Sequence, residues 1–437
     1  MESIAVEVPF LTTAQSGPLQ ELERKLLCNQ PKIEAWLRQQ WRKDPPPFYS
    51  SVDLRNAGFK LAPVDTNLFP AGFNNLNRDF LPLCVQAMQA TLESMPIHVT
   101  QILLIPENHT RNLFYLESLA LLREVLLQAG FSVEIGTLRP DITAPTQVKT
   151  QSGQTLTLYP LEREGNRTFV RTAAGPFHGE MVLLNHDLSG VVPPILEGLD
   201  QLVQPPLHLG WATRLKSQHF AHYQDVATEF AQQVGFDPWW ISPIFSQCHE
   251  VDFVTKKGEE CLIATAEQVF AQISAKYQEY EIPHKPYIVV KTDAGSYGMG
   301  VMSASSVDDL RSLNHKRRGR MSTTKGGEAV TKVLIQEGVY SFETMGEAVA
   351  EPVVYMIGNR VVGGFYRVHA DRSPTENLNS PGASFRPLAF SNSCNLPDFN
   401  KQNGCTVNRF YSYGVIARLA ALAAGREQTK KEVSPHV

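Results

Sequence analysis

The chain has 437 residues, which predicts two or three domains rather than a single core. Its 43% hydrophobic and 19% charged fractions are those of an ordinary globular protein. A formal charge of -4 argues against a general nucleic-acid binder or a membrane-surface binder.

The first twenty residues, "MESIAVEVPFLTTAQSGPLQ", lack the basic start and long apolar core of a secretory leader. Longer apolar stretches such as "SLALLREVLLQAG" are broken by charge and too short to span a bilayer, so a cytoplasmic protein is expected. Residues 1–60 read as an N-terminal extension with one helical piece, "PLQELERKLLCNQPKIEAWLRQQWRK", stopped by Pro45–Pro47. The segment "APVDTNLFPAGFNNLNRDF" at 62–80 is too rich in Asp, Asn, Gly and Pro for a core element. It fits a surface loop, or a loop whose Asp65, Asn67, Asn74 and Asn75 bind the ammonium and carboxylate of an amino acid. A surface loop would be more consistently polar than this one, which interleaves Leu68, Phe69 and Phe73.

From 98 to 138 the pattern is strand ("HVTQILLIPE"), amphipathic helix ("NLFYLESLALLREVLLQAG") and strand ("FSVEIGTL"), with Gly130 placed as a helix C-cap. Such a βαβ unit implies a parallel sheet flanked by helices. Residues 140–180 alternate like short half-buried strands. "MVLLNHDLS" then repeats the strand-to-polar-tip pattern, placing Asn185, His186 and Asp187 where α/β sheets gather ligands or where a simple Asx turn would sit. Arg214, in "GWATRLKSQH", is a candidate for an α-carboxylate contact.

Beyond 250 come a helix ("CLIATAEQVFAQISAKYQEY"), a strand ending in Lys291, and the loop "DAGSYGMG". A strand at 301 follows, then a short helix capped by Ser306, and the basic stretch "NHKRRGR" at 314–320, read as a solvated loop rather than an anion site. "TKVLIQEGV" is a further strand, and "EPVVYMI-GN-RVVGGFYRVHA" reads as a hairpin turning at Gly358–Asn359. The six cysteines form no C-x-x-C pair. Cys394 and Cys405, at the two ends of "CNLPDFNKQNGC", could meet across that loop, although a reducing compartment disfavours a disulfide there.

The loop after Lys291 has the spacing G-x-x-G-x-G (Gly295, Gly298, Gly300) and leads into a strand. A dinucleotide fingerprint needs G-x-G-x-x-G opening a helix, and a P-loop needs a terminal G-K-[ST]. Two readings remain: a plain hairpin, or a flap whose backbone amides close over phosphates while Lys291 supplies a compact positive charge. Downstream, Gln336-Glu337-Gly338-Val339 ends a strand where backbone groups could pair with a purine edge. The hairpin then delivers Arg367 and the loop "HADRSPTENLNSPGASF". Lysine strand, glycine flap, Q-E hinge, hairpin, arginine and Asn/Gly loop follow one another in the order of an ATP-grasp fold.

Three longer motifs, "VDTNLFPAGFNNLNRDF", "VVKTDAGSYGMGVM" and "ENLNSPGASFRPL", together resemble the unusual glutamate–cysteine ligase family of certain proteobacteria, founded on members from acidophilic iron and sulfur oxidisers. The resemblance covers roughly residues 50–425. It implies a Rossmann-like (pre-ATP-grasp) βαβ domain followed by an ATP-grasp domain, an overall α/β class. The expected division is an extension (1–60), a substrate domain (61–245), an ATP-grasp domain (246–425) and a tail (426–437). The implied activity is ATP- and magnesium-dependent joining of L-glutamate to L-cysteine, the first step of glutathione synthesis.

On that resemblance Lys291 and Arg367 are catalytic. Lys291, Gly295, Ser296, Tyr297, Gly298, Met299 and Gly300 hold ATP with the hinge Gln336–Val339, while Asn377 and Asn379 join Asp65, Asn67, Asn74, Asn75 and Arg214 as substrate contacts. Glu351, Glu376 and Asn377 are the magnesium candidates. The usual E-x-N metal motif near the end of an ATP-grasp domain is missing, since "FYSYGVIARLAALAAGREQ" reads there as a helix. The competing readings are another ATP-grasp carboxylate–amine ligase, or an α/β protein that closes on ATP without catalysis.

Overall fold

The computed structural model describes residues 18–108, 112–295, 300–322, 329–388 and 409–432. Helices α1 (Pro18–Cys28) and α2 (Gln30–Trp41) replace the single helix expected. The break falls at Asn29, because Pro31 lacks an N–H and is tolerated only in the first turn of a new helix. Strands β1 (Tyr49–Asn56) and β2 (Leu61–Asn67) follow, then α3 (Leu81–Glu93). The predicted βαβ unit is β3 (Gln101–Pro106), α4 (Leu113–Gln128) and β4 (Ser132–Thr137). Asn112 caps α4 by accepting from the Tyr115 N–H, and Gly130 takes φ +95° just beyond the helix end.

The β-rich stretch holds β5 (Thr146–Lys149), β6 (Thr155–Pro160), β7 (Glu162–Glu164), β8 (Arg167–Thr172) and β9 (Gly175–Phe177). β10 (Met181–Asn185) and β11 (Leu202–Gln204) precede the long helix α5 (Lys216–Val234). Next come β12 (Phe245–His249), α6 (Glu259–Glu279), β13 (Ile288–Thr292) and β14 (Val301–Ala304). Helix α7 (Val307–Arg311) is closed by a Ser306–Asp309 capping box. Residues 315–321 form helix α8 (His315–Met321) rather than the loop expected: Asn314 accepts from the Arg317 N–H, and Lys and Arg are good helix formers. β15 (Lys332–Glu337), β16 (Thr344–Met345), the hairpin β17 (Ala348–Ile357) and β18 (Arg360–His369), β19 (Ser384–Pro387) and α9 (Arg409–Glu432) complete the chain.

These strands assemble into three principal sheets. β11-β10-β3-β4-β6-β5 is parallel apart from β5, as the βαβ pattern predicted. β12-β15-β13-β14 is antiparallel. The third, β19-β18-β17-β1-β2 with β16 beside β17, joins the two ends of the chain: Asp53 pairs with Val353 of β17 and with Asp65 of β2. A division at residue 60 would therefore separate two strands that pair directly.

Burial on both faces of β17 explains its nearly unbroken apolar run. Val354 and Met356 pack in one core with α9, whose Tyr411–Ala424 stretch is buried throughout. Val353, Tyr355 and Ile357 point the other way, into a core shared with α3, α4 and the parallel sheet. The two-residue period of a strand divides the side chains between two cores. No helix among the described residues is long and apolar enough to cross a membrane.

Helix α9 is fastened by a buried cluster. Arg214 grips Glu427 through Nε (2.8 Å) and Nη2 (3.1 Å), its Nη1 donates to the Thr66 carbonyl, and His219 bridges Glu427 and Thr66 Oγ1. Burial alone would raise the pKa of Glu427, but Arg214 and His219 outweigh it and hold the carboxyl at about 2. A depressed carboxyl contributes stability above its ordinary 4.5 and loses it as pH falls toward about 2. Glu427→Gln is therefore expected to melt below wild type at pH 7, the gap shrinking as pH falls through that window. A gap independent of pH from 7 to 3 would refute this account of the cluster.

Candidate functional site

A cavity of about 1010 Å³ opens between the four-stranded sheet and the charged face of the sheet drawn from both chain ends. Its lining carries eight Lys/Arg (55, 216, 291, 316, 317, 320, 367, 372) against five Asp/Glu (53, 65, 337, 351, 376), a surplus suited to an anionic ligand.

Lys291 ends β13 inside this cavity. Its Nζ donates to the Val64 carbonyl (2.6 Å) and to Gln336 Oε1 (2.7 Å). Burial, offset by Asp65 and reinforced by Lys216 and Arg55, lowers its pKa to about 8. Gln336 Nε2 is buried with no hydrogen-bond partner among the described residues. The glycine loop is anchored just beyond Lys291. Asp293 accepts from the backbone N–H (2.7 Å) and hydroxyl (2.8 Å) of Ser217 in the first turn of α5. Lys216, its ammonium 4.1 Å from the centre of the Trp211 ring, donates to the Gly295 carbonyl. Gly295 (φ +98°) and Gly300 (φ +64°) flank the loop, and a Cβ on Gly300 would lie 2.2 Å from Thr292 Cγ2. Ser296, Tyr297, Gly298 and Met299 lie outside the described residues.

The hinge after β15 lines the same cavity through Gln336, Glu337 and Val339. The Glu337 side chain is fully engaged, with Lys60 Nζ (2.6 Å), the Trp239 indole N–H (3.2 Å) and the Ile244 N–H (2.9 Å). The Glu337 N–H donates to the Ile244 carbonyl (2.7 Å), which leaves the backbone carbonyl to meet a ligand. Gly338 donates to the Tyr287 carbonyl, and a Cβ there would fall 2.2 Å from the Tyr287 ring. The Val339 carbonyl accepts from Tyr287 Oη (2.6 Å) and Arg55 Nη1 (3.2 Å), whereas its N–H has no acceptor among the described residues.

Opposite stands a lattice of charge on β1, β17 and β18. Arg367 Nη1 donates to Asp53 (2.8 Å) and Glu351, and Arg55 Nε takes the other oxygen of Glu351 (2.9 Å). Arg55 also donates to the backbone carbonyls of Pro374 and Glu376, binding the hinge to the Asn/Gly loop. Burial opposes charge on Arg367, but Asp53 and Glu351 override it and raise its pKa. Burial raises Asp53, with Glu351 and Asp65 adding to it and Arg367 pulling the other way. Glu376 accepts from Arg372 and the Ser373 N–H, and Asn377 Oδ1 from the Asn379 N–H.

The structure thus brings together Lys291, Arg367, Gly295, Gly300, Gln336, Glu337, Val339, Asp65, Glu351, Glu376, Asn377 and Asn379. It does not bring Asn67, Asn74, Asn75 or Arg214 to that lining. Asn67 accepts from the Phe69 N–H, and Asn74 and Asn75 sit in a short 3₁₀ turn. Arg214 is engaged by Glu427 and Thr66. The 67–76 loop is pinned instead over the ends of the parallel strands, through Asn185 Nδ2 to the Pro70 carbonyl and Ser118 Oγ to the N–H groups of Gly72 and Phe73. Sequence reasoning missed Asp53, Arg55 and Lys216. The first two stand at i and i+2 of the strand, alternating with the apolar Val52 and Leu54, and so share one face, a signal readable in "SVDLRN". It also missed the α8 cations Lys316, Arg317 and Arg320, which make no ion pair among the described residues.

A family model described as "GshA: Glutamate-cysteine ligase" matches residues 23–428. A crystal structure from Methylobacillus flagellatus KT, described as "Putative gamma-glutamylcysteine synthetase", is 52% identical, covers 97% of this chain and 99% of its own, and superposes with a TM-score of 0.89. D-alanyl-alanine synthetase A from Vibrio cholerae is 10% identical over 73% of this chain and 81% of its own, with a TM-score of 0.36, too low to carry an argument. A search of curated proteins finds no match.

Proposed function

This chain belongs to the glutamate–cysteine ligase family, and on that footing we propose how its residues divide the reaction. It is an ATP-dependent ligase of ATP-grasp-like α/β fold that joins glutamate to cysteine, a step of glutathione biosynthesis. The narrower affiliation with the iron- and sulfur-oxidiser type stays a proposal resting on the three motifs. So does a cytoplasmic location, which suits an enzyme supplied with cellular ATP.

A carboxylate does not acylate an amine until its oxygen becomes a good leaving group. In our reading ATP converts the glutamate γ-carboxylate to γ-glutamyl phosphate, and the cysteine amine displaces the phosphate. Lys291 holds the transferred phosphoryl oxygens, the 295–300 loop covers them and excludes water, and Arg367 neutralises charge from the opposite sheet. Lys216 fixes the loop from below through Gly295. Glutamate and cysteine would be bound by Asp65, Asn377 and Asn379 at the cavity. The observation that carries this reading is the meeting, in one cavity, of Lys291, both ends of the glycine loop and a hinge with an open Val339 N–H.

The carboxylates suit a hard, oxygen-seeking cation, because burial and the neighbouring Glu351 and Asp65 raise the Asp53 carboxyl above its ordinary value, a shift that added positive charge opposes. Glu351, Glu376 and Asn377, with Asp53 added, are the residues that would hold magnesium, whose contribution is to neutralise polyphosphate charge. Both oxygens of Glu351 already meet arginines, and Glu376 meets Arg372, so these two must share their lone pairs.

ADP formation is expected to require glutamate and, for full turnover, cysteine, with γ-glutamylcysteine formed in equal amount. ADP release indifferent to both amino acids would overturn the reading. At the hinge, Val339→Pro removes the open N–H and is expected to raise the KM for ATP about tenfold, the worth of one hydrogen bond. Val339→Ala keeps the N–H and should stay within about twofold of wild type. Equal effects from both would show that the purine is not read there.

A further inference from the structure

Two sulfur atoms meet away from the cavity. Cys248 lies in β12 and Cys261 in the first turn of α6, with their Sγ atoms 2.8 Å apart. Cys248 is buried and Cys261 exposed. The intervening loop is tightly built: Asp252 bridges to Lys257, and Gly258 sits at φ +75°, where a Cβ would lie 2.7 Å from the Glu250 carbonyl oxygen. Backbone geometry therefore returns the second sulfur to the first.

We propose that Cys248 and Cys261 are a reversible modification site, forming a protein disulfide by exchange with low-molecular-weight disulfides. The Cys261 thiolate attacks one sulfur of RSSR, forming Cys261–S–SR and releasing RS⁻, which takes up the proton that Cys261 gave away. Cys248 then loses its proton and attacks the Cys261 sulfur, expelling a second RS⁻, which is protonated in turn. Two protein thiols and one RSSR thus become one protein disulfide and two RSH, and the reverse exchange restores the thiols.

Access sets the order, since Cys261 is the sulfur that solvent reaches. Burial, with the neighbouring Cys261 adding to it, pushes the Cys248 thiol up to about 12, so it waits as a thiol until its neighbour carries a leaving group. The new bond would tie the edge strand of the four-stranded sheet to the helix packed across it. Cys248 pairs with Val333, and Val333 with Thr292 at the foot of the glycine loop. Oxidation would therefore stiffen the lobe that carries Lys291.

The test uses full-length protein with Cys28, Cys394 and Cys405 changed to serine, equilibrated across ratios of oxidised to reduced glutathione. After acid quenching, alkylation and peptide mapping, the Cys248 and Cys261 peptides are expected cross-linked, two hydrogens lighter and separable by dithiothreitol. The oxidised protein should melt above the reduced one. In Cys248→Ala the exchange should stop at a glutathione adduct retained on Cys261. A lasting adduct on Cys261 with Cys248 still alkylatable in the parent, or two alkylatable thiols at the most oxidising ratio, would overturn the proposal. Neither result bears on the ligase assignment.

Discussion

Lys291→Met is expected to lower turnover by ~10²-fold or more, the scale of losing one preorganised charge contact, while the protein still folds. Methionine keeps much of the apolar stem. It leaves the Val64 carbonyl and Gln336 Oε1 without their donor but also removes an ammonium that burial already disfavours. These two effects oppose one another, so the melting temperature should stay close to wild type. The lowered pKa adds a second, sharper readout. Between about 8 and the ordinary lysine value of 10.5 the unfolded chain holds this proton more firmly than the folded one, so this group's contribution to stability rises with pH there. A bound polyphosphate favours the ammonium again. ATP binding above pH 8 should then take up a proton, visible as a buffer-dependent binding enthalpy, and Lys291→Met should abolish that uptake. Near-normal turnover together with unchanged proton uptake would sink the phosphate-clamp role.

The largest loss of stability is expected from Lys60→Met. Lys60 and Glu337 form an ion pair with neither side chain exposed, and the Lys60 ammonium also lies 4.2 Å from the centre of the Trp239 ring. Burial outweighs Glu337 and lowers the pKa of Lys60 to about 8. Removing one member leaves a buried carboxylate with only the indole and the Ile244 N–H, a change that costs roughly 3–5 kcal/mol. The double variant Lys60→Met/Glu337→Gln removes both charges and should recover most of that loss. Urea unfolding of wild type, single and double variants measures the effect. A Lys60→Met protein as stable as wild type would mean that the Lys60–Glu337 pair is not what supports the hinge from beneath.

What the sequence showed and what it hid follow from the range of the interactions involved. Lys291, the glycines and the hinge were legible because they lie on consecutive strands of one small antiparallel sheet. The β3–α4–β4 unit and the β17–β18 hairpin announced themselves through period, caps and a Gly-Asn turn. Arg55 was invisible because its partners lie some three hundred positions away, and only the pairing of β1 with β17 makes them neighbours. Arg214 reads in the sequence as a candidate α-carboxylate contact, with no Asp or Glu within ten residues of it. Its partner, Glu427, stands on a helix whose docking no local pattern reports. The 314–320 stretch was misread because positive charge suggested solvation, although the same residues favour a helix.

Pairing β1 and β2 beside the β17–β18 hairpin also sets a timetable for synthesis. The parallel sheet and the β12–β15 lobe lie in continuous stretches and can close as the chain emerges. Residues 49–67 must wait with unpaired edges until 348–357 has been made. Until then the nascent chain can build the lobe that carries Lys291 but not the wall of Asp53, Arg55, Glu351 and Arg367 that faces it, so the cavity is one-sided until the hairpin is made.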